Sequence, residues 1–194
     1  TPDFCKVHPN ATRHATVDHD ADGGPLAVWE SAPILMYLAR TYKQFWPQGD
    51  WRFDLDLTQW MFWQTGNQGP MMGQLSHFKN YAPEDSKDYG FKRYKGESER
   101  ALAVLERRLE GQTFIMGEVY TIADMQCFPW VFLAKKLGAP LDDFPNLTRW
   151  RQMMKERPAV QRAIDLGKAG AQHDQNVSNN TVLFNQGAGH LRNQ

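Results

Sequence analysis

The sequence is poor in cysteine, with only Cys5 and Cys127 among 194 residues. The two lie far apart and belong to no C-x-x-C pair, so they indicate neither a disulfide framework nor a zinc site. We interpret both as reduced thiols. An excess of charge of either sign is also missing, because 22 basic residues balance 22 acidic ones. No basic field is therefore expected to attract nucleic acid or an anionic lipid surface, and the predicted partner is a small molecule or another protein.

Long apolar runs are missing as well. No stretch approaches the roughly 20 residues that a membrane-crossing helix needs, and the N-terminus lacks the basic and then apolar layout of a signal peptide. These features predict a soluble chain in the cytoplasm. What the sequence does contain is 41% apolar side chains, enough for a chain of this length to bury a sizeable core.

Strand-like patterns occur only near the start of the chain. Residues 15–18 and 26–29 have strand character and are separated by the turn-rich stretch 19–25, which together predict a β-hairpin. Directly after the hairpin, apolar residues recur at helical spacing from Ala32 to Tyr42. Ser31 is the expected N-cap of this helix.

Beyond a polar linker at 45–50, only helical patterns remain. An aromatic-rich helix is expected at 53–64, and we expect the glycines and the proline of 66–70 to bend or break it before it resumes at 71–81. Further helices follow up to Pro158, and the last is predicted to be short. Residues 167–194 are rich in Asn, Gln and Gly and are interpreted as a tail.

Two later helix starts have readable signals. Thr121 and Asp124 have the spacing of a capping box, in which each side chain bonds the backbone N–H of the other residue. The apolar helix after Thr121 is therefore expected to start in a buried place. In the helix after Phe144, Trp150 and Met153 are predicted to point inward.

Six short motifs follow one another along these segments. They are His8-Pro9-Asn10-Ala11, Trp29-Glu30-Ser31, Gly69-Pro70-Met71, Thr121-Ile122-Ala123-Asp124, Phe144-Pro145-Asn146-Leu147 and Arg157-Pro158-Ala159-Val160. With them the sequence resembles the glutathione transferase superfamily, particularly its nu-class disulfide-bond reductases and the transferase-like domain of the yeast nitrogen-regulation prion protein. The resemblance covers nearly the whole chain.

The resemblance implies a mainly α fold with two parts. An all-helical glutathione transferase C-terminal domain would occupy 51–166, preceded by a partial thioredoxin-like, glutathione-binding α/β domain at 1–44. Residues 45–50 would be the linker and 167–194 the tail. Family members usually form twofold dimers through the helix after the Glu-Ser pair and the long bent helix, so a homodimer is expected.

A glutathione site is implied at Glu30 and Ser31. Ser31 and its backbone N–H, at the positive end of a helix dipole, would bind the carboxylate of the γ-glutamyl group, while Glu30 would pair with its ammonium. From the residues alone, the same pair is also explained as a helix cap. The resemblance adds weaker contacts from Thr12 and Arg13.

The sequence departs from the family pattern in two places. His14 stands where the family has a proline, usually in cis, so we expect a trans or remodelled loop. The residue that activates the glutathione sulfur precedes the segment matching Pro2-Asp3-Phe4 in the family, which leaves the catalytic residue of this chain unknown. Either the chain is a fragment of a longer enzyme, or it is a shortened product that has lost transferase chemistry.

Two functions therefore stay open. The first is a glutathione transferase-like enzyme, with glutathione as co-substrate and no metal, that conjugates glutathione to small hydrophobic electrophiles or reduces disulfides. The second is a catalytically inactive binding or regulatory protein with the same fold.

Three other clusters of the sequence have structural interpretations. Trp60, Phe62, Trp63 and Phe78 could line an apolar pocket, but their helical spacing favours core positions, with Trp63 and Gln64 facing a cleft. Asp18-x-Asp20-x-Asp22 opens like an EF-hand loop, but the twelfth position lacks a carboxylate, which favours a solvated turn. Three histidines have no metal-ligand spacing and are interpreted as loop residues: His8, His14 and His19.

Overall fold

A computed structural model of the chain describes residues 2–10 and 14–173. As expected, the protein is mainly helical with a small two-stranded sheet. The described residues form two compact units. One holds the residues up to Tyr42 together with the end of the last helix, from Ile164, and the other is Lys43–Ala163. Within the described ranges, no helix combines the length and the apolar character needed to cross a bilayer.

The first unit is built around a hairpin. Its elements are α1 (Pro2–Val7), β1 (Ala15–Asp18), β2 (Leu26–Trp29) and α2 (Ser31–Tyr42). The two strands are antiparallel, which confirms the predicted hairpin, and Gly23 and Gly24 supply the positive φ angles of its turn. Both helices contact both strands. The six-residue helix α1 was not predicted, because it is too short to show a helical period.

A hydrogen bond joins α2 to the first strand. The Tyr37 hydroxyl donates to Asp18 Oδ2 at 2.6 Å, and the other carboxylate oxygen of Asp18 accepts the Asp20 N–H at 2.9 Å. The bond from Tyr37 lowers the pKa of Asp18, and the same bond raises the pKa of Tyr37. The carboxylate of Asp18 therefore organises the start of the turn and ties it to α2.

The second unit is all-helical. Its elements are α3 (Trp51–Trp63), a π-helical turn (Gln64–Gln68), α4 (Gly69–Asn80), α5 (Glu84–Arg108), α6 (Ile122–Leu137), α7 (Pro145–Glu156) and the first part of α8 (Pro158–His173). Helix α4 packs on α5 and α6, and α7 contacts both α5 and α6. Fully buried side chains from these helices form the core, among them Leu57, Met61, Met72, Leu75, Leu102, Leu105 and Trp150.

Residues 66–70, where a bend or a break was predicted, do not break the helix. The chain stays helical and widens into a π-helical turn, with the Gly69 N–H donating to the Gln64 carbonyl five residues earlier. Pro70 explains the wider turn, because its ring would clash with the carbonyl four residues earlier in a regular α-helix and it has no N–H to donate. Gly-Pro therefore changed the type of helix and did not end it.

The predicted capping box at the start of α6 is confirmed. Asp124 Oδ2 accepts the Thr121 N–H at 3.0 Å, and its Oδ1 accepts the Ile115 N–H at 3.0 Å and the indole N–H of Trp150 at 2.9 Å. Burial raises the pKa of Asp124, while these donors act in the opposite direction. One carboxylate thus joins the start of α6 to α7 and to the preceding loop.

Several burial predictions need correction. Of the aromatic side chains expected in the core, Phe62 is 71% exposed, and Trp60 and Phe78 are only half-buried. Helix α3 turns Leu57 and Met61 inward in their place. Trp60 lies instead against the Arg108 guanidinium, which is 5.3 Å from its ring centroid.

Two further differences concern the C-terminal helices. Trp150 is buried as predicted, but its buried companion on α7 is Met154, while Met153 is half-buried. Helix α8 is longer than expected and runs through the first residues of the predicted tail to His173. Residues 174–194 lie outside the described part of the chain. Both cysteines are free thiols, and Cys127 is buried.

Candidate functional site

The candidate site lies at the base of the hairpin, where β2 meets α2. Glu30 is the single residue between the two elements. Its carbonyl accepts the Ile34 N–H at 3.0 Å, which is the first hydrogen bond of the helix. Glu30 therefore holds the N-cap position and Ser31 is the first helical residue, so the predicted cap at Ser31 is wrong by one residue.

The backbone of Glu30 is held in an unusual conformation. Its φ is 69°, in the left-handed region that side chains other than glycine rarely adopt. The Glu30 N–H donates to the His14 carbonyl at 2.9 Å, which extends the ladder beyond the Ala15–Trp29 pair. His14 is itself left-handed, with φ 74°. Each such residue costs about 1–3 kcal/mol, and residues of this kind cluster at ligand sites.

The backbone conformation of His14 differs from the one that a proline would have at this position. A proline ring fixes φ near −65° and could not adopt the value found at His14. The rest of the loop, which was predicted to be trans or remodelled, lies at residues 11–13, outside the described residues. The weaker glutathione contacts predicted from Thr12 and Arg13 also fall outside the described residues.

The Glu30 carboxylate lies beside a buried histidine. Its Oε1 is 3.9 Å from Nε2 of His8, whose side chain is fully buried, whereas the Glu30 side chain is 41% exposed. His8 Nδ1 accepts the Asn10 N–H at 3.2 Å. His8 lies between α1 and β1, as the prediction of a loop residue required, but its complete burial was not predicted. Its place in the His8-Pro9-Asn10 motif was the signal that could have singled it out.

The arrangement suits a zwitterionic ligand group. The N-terminus of the 12-residue helix α2 favours an anion, and Ser31 is half-buried at that end. The partly exposed Glu30 carboxylate beside it favours a cation. A helix N-terminus next to a carboxylate therefore matches the α-carboxylate and α-ammonium of an amino-acid end group.

The predicted cleft residues are placed differently. Gln64 is buried in the π-helical turn, and its Oε1 accepts from Gln126 Nε2 at 2.7 Å. The prediction that Gln64 faces a cleft is therefore wrong. Trp63 is half-buried, with its ring edge-on to Trp60 at a centroid distance of 5.2 Å.

Sequence relatives decide the family. Residues 72–158 match the family model of the glutathione S-transferase C-terminal domain. The disulfide-bond oxidoreductase YfcG of Escherichia coli is 39% identical over 165 residues, which make up 84% of this chain and 76% of that protein. The chain belongs to the glutathione transferase family. The Glu30-Ser31 junction is thus a candidate glutathione site of a glutathione transferase.

Other glutathione transferases agree with this assignment. The crystal structure of one from Burkholderia graminis, with two glutathione molecules bound per subunit, is 41% identical with a TM-score of 0.79 and covers 85% of this chain and 71% of that one. Protein URE2 of Candida glabrata is 29% identical over 201 residues, 84% of this chain and 56% of that protein. The predicted resemblance to both branches is confirmed. The chain spans 63% and 57% of two further relatives, from Dictyostelium discoideum and Escherichia coli.

Proposed function

We propose that this glutathione transferase binds glutathione through Glu30 and Ser31 and uses the glutathione thiol to reduce disulfide substrates. The observation that carries the proposal is the left-handed Glu30, which directly precedes the first residue of α2 and brings a partly exposed carboxylate to the start of that helix. The disulfide-bond oxidoreductase activity named for the Escherichia coli relative supports the choice of reaction.

In binding, the α-carboxylate of the γ-glutamyl group accepts from Ser31 and the first turn of α2. The α-ammonium pairs with Glu30. Thr12 and Arg13 would add weaker contacts along the tripeptide, as the family resemblance suggests. The hydrogen bond from the Glu30 N–H to the His14 carbonyl fixes the backbone from which the Glu30 side chain extends. Less conformational entropy of Glu30 is therefore lost when the ligand binds.

The reaction is a pair of thiol–disulfide exchanges. The thiolate of one glutathione attacks a sulfur of the substrate, a mixed disulfide forms, and the other sulfur leaves as a thiolate that takes up a proton. A second glutathione thiolate attacks the glutathione sulfur of the mixed disulfide. Glutathione disulfide and the second substrate thiol are released. With a hydrophobic electrophile, the same thiolate attacks the electrophilic carbon and forms a C–S bond, while the leaving group, such as the chloride of 1-chloro-2,4-dinitrobenzene, departs with the bonding electron pair.

We test the proposal by coupling the reduction of bis(2-hydroxyethyl) disulfide by glutathione to NADPH oxidation through added glutathione reductase. The chain should accelerate the reaction above the uncatalysed rate, and Glu30→Gln and Ser31→Ala should raise the KM for glutathione. Glu110→Gln, which alters an exposed carboxylate in the second unit, is the matched control and should match the wild type.

Two outcomes would count against this function. Saturable glutathione binding without turnover of disulfides or of an electrophile such as 1-chloro-2,4-dinitrobenzene would favour the binding or regulatory function. If Glu30→Gln and Ser31→Ala both turned over substrate like the wild type, the glutathione site would have to lie elsewhere in the chain.

We also propose a twofold homodimer that uses α3 of the second unit. This helix exposes three large apolar side chains, Trp51, Leu55 and Phe62, which are 66%, 50% and 71% exposed. Their spacing of four and seven residues places them on one face. The family resemblance assigns this helix to a contact with a second copy, and a self-complementary apolar face fits a twofold axis.

A further inference from the structure

His8 is buried like a core residue, although its imidazole ring carries two polar nitrogen atoms. Its side chain is fully buried in the first unit. The Phe4 ring stacks on it at a centroid distance of 6.1 Å, and the Trp29 ring lies against it at 5.3 Å. A phenylalanine would serve such packing without the cost of burying two ring nitrogens. The two nitrogens therefore need an explanation beyond packing.

The hydrogen bond from Asn10 determines where the proton of the ring lies. The Asn10 N–H donates to Nδ1, which must offer a lone pair, so the neutral ring carries its proton on Nε2. Nε2 is the nitrogen that faces Glu30 Oε1 at 3.9 Å. This distance is longer than a direct hydrogen bond. The proton on Nε2 still attracts the carboxylate at this distance, and the attraction favours carboxylate positions near the buried ring over those turned to solvent.

We propose that His8 is a positioning residue for glutathione, which acts by holding the Glu30 carboxylate where it receives the α-ammonium of the γ-glutamyl group. This inference rests on the proposed glutathione site. The backbone of Glu30 is already fixed by its bonds to His14 and Ile34, so its side-chain torsions are the remaining freedom. The Nε2–H of His8 limits the Glu30 side-chain torsions by attracting the carboxylate toward the buried ring.

The role makes a prediction that depends on the ligand. Glutathione and glutaryl-cysteinylglycine, which is glutathione without its α-amino group, differ only in the group that Glu30 is proposed to bind. If His8 acts through Glu30, its removal should weaken the first ligand and leave the second unchanged. If His8 only shapes the turn before residues 11–13 through Asn10, both ligands should weaken alike.

The experiment measures the affinity of both ligands by calorimetry for the wild type, His8→Phe, His8→Gln and Glu30→Gln. We expect His8→Phe to lower the glutathione affinity roughly 3- to 10-fold without changing that of the analogue. His8→Gln, which restores an N–H donor, should recover part of the loss. In a Glu30→Gln background, His8→Phe should have little further effect, because the residue through which it acts is gone.

A second readout needs no variant. In the wild-type chain labelled with ¹⁵N, the His8 Nε2 resonance should shift when glutathione is added and stay in place with the analogue. Unchanged glutathione affinity in a folded His8→Phe, equal loss for both ligands, or equal Nε2 shifts would each overturn the role of His8 while leaving the glutathione site intact. No glutathione binding by the folded wild type would instead overturn the proposed function and this role with it.

Discussion

Glu30 occupies a backbone conformation that glycine would adopt at lower cost. Its φ is 69°, and its N–H donates to the carbonyl of a second left-handed residue, His14, across the base of the hairpin. Stability alone would favour glycine or asparagine at such a position. The proposed contact with the α-ammonium of glutathione gives a reason for a carboxylate at this position, and the buried His8 beside it agrees with that proposal.

Replacing Glu30 by glycine should therefore separate stability from binding. We expect Glu30→Gly to be more stable than Glu30→Gln by up to about 1 kcal/mol, because glycine relieves the left-handed strain. Neither variant should bind glutathione as the wild type does. Urea unfolding followed by circular dichroism compares the two variants, and a glycine variant that is no more stable than the glutamine variant would contradict the assigned strain.

The individual side chains were the hardest part of the structure to predict. The Glu30-Ser31 pair could be found from its motif, but the burial of His8 could not, because it depends on rings from α1 and β2. Local spacing likewise predicted Met153 as buried where Met154 is. An error of one residue rotates a helix by about 100°, and only tertiary contacts settle the choice.

Elements with local signals were predicted well. The hairpin follows from two short strand-like runs around a turn, and the capping box from two residues three positions apart, so neither needs distant information. The π-helical turn at Gln64–Gln68 was predicted as a bend or a break, because Gly-Pro is a strong local signal for ending a helix. Packing of the neighbouring helices α3 and α4 on α6 kept the chain helical there.

Two glycines of α5 allow a matched test of its packing. A Cβ added at Gly90 would lie 2.1 Å from the Phe78 ring, whereas a Cβ at Gly96 meets nothing within 4 Å. Gly90→Ala should destabilise the chain by about 1–3 kcal/mol through the clash, and Gly96→Ala should stabilise it by about 0.5–1 kcal/mol through helix propensity. Thermal unfolding of both variants tests this, and shifts of the same sign would refute the packing of α4 on α5.

At the scale of the whole molecule, the family could be recognised from six motifs in a fixed order along the chain. Which side chains the protein exposes could not be predicted in this way. Aromatic residues at helical spacing suggested a core, yet Phe62 is 71% exposed and the core face of α3 belongs to Leu57 and Met61. Helical spacing shows that residues share a face, but it does not show which face is inside. The exposed face is the one proposed to bind a second copy.

A charged side chain on the exposed face of α3 should dissociate the proposed homodimer. We expect the wild type to have twice the 22.4 kDa mass of the chain by light scattering, and Phe62→Glu to shift it toward the monomer, because an unpaired charge in an apolar contact is costly. Tyr89→Glu, at an 83% exposed position on α5, is the control and should stay dimeric. A monomeric wild type, or equal masses for all three proteins, would exclude α3 as the contact.

The central claim is that glutathione binds where β2 meets α2, and calorimetric titration of the 194-residue chain with reduced glutathione tests it most directly. We predict saturable binding by the wild type and by Glu110→Gln, and at least roughly 10-fold weaker binding by Glu30→Gln and Ser31→Ala, since each removes a charge-assisted contact. Binding that both site variants leave unchanged, or no binding by a demonstrably folded wild type, would contradict the claim.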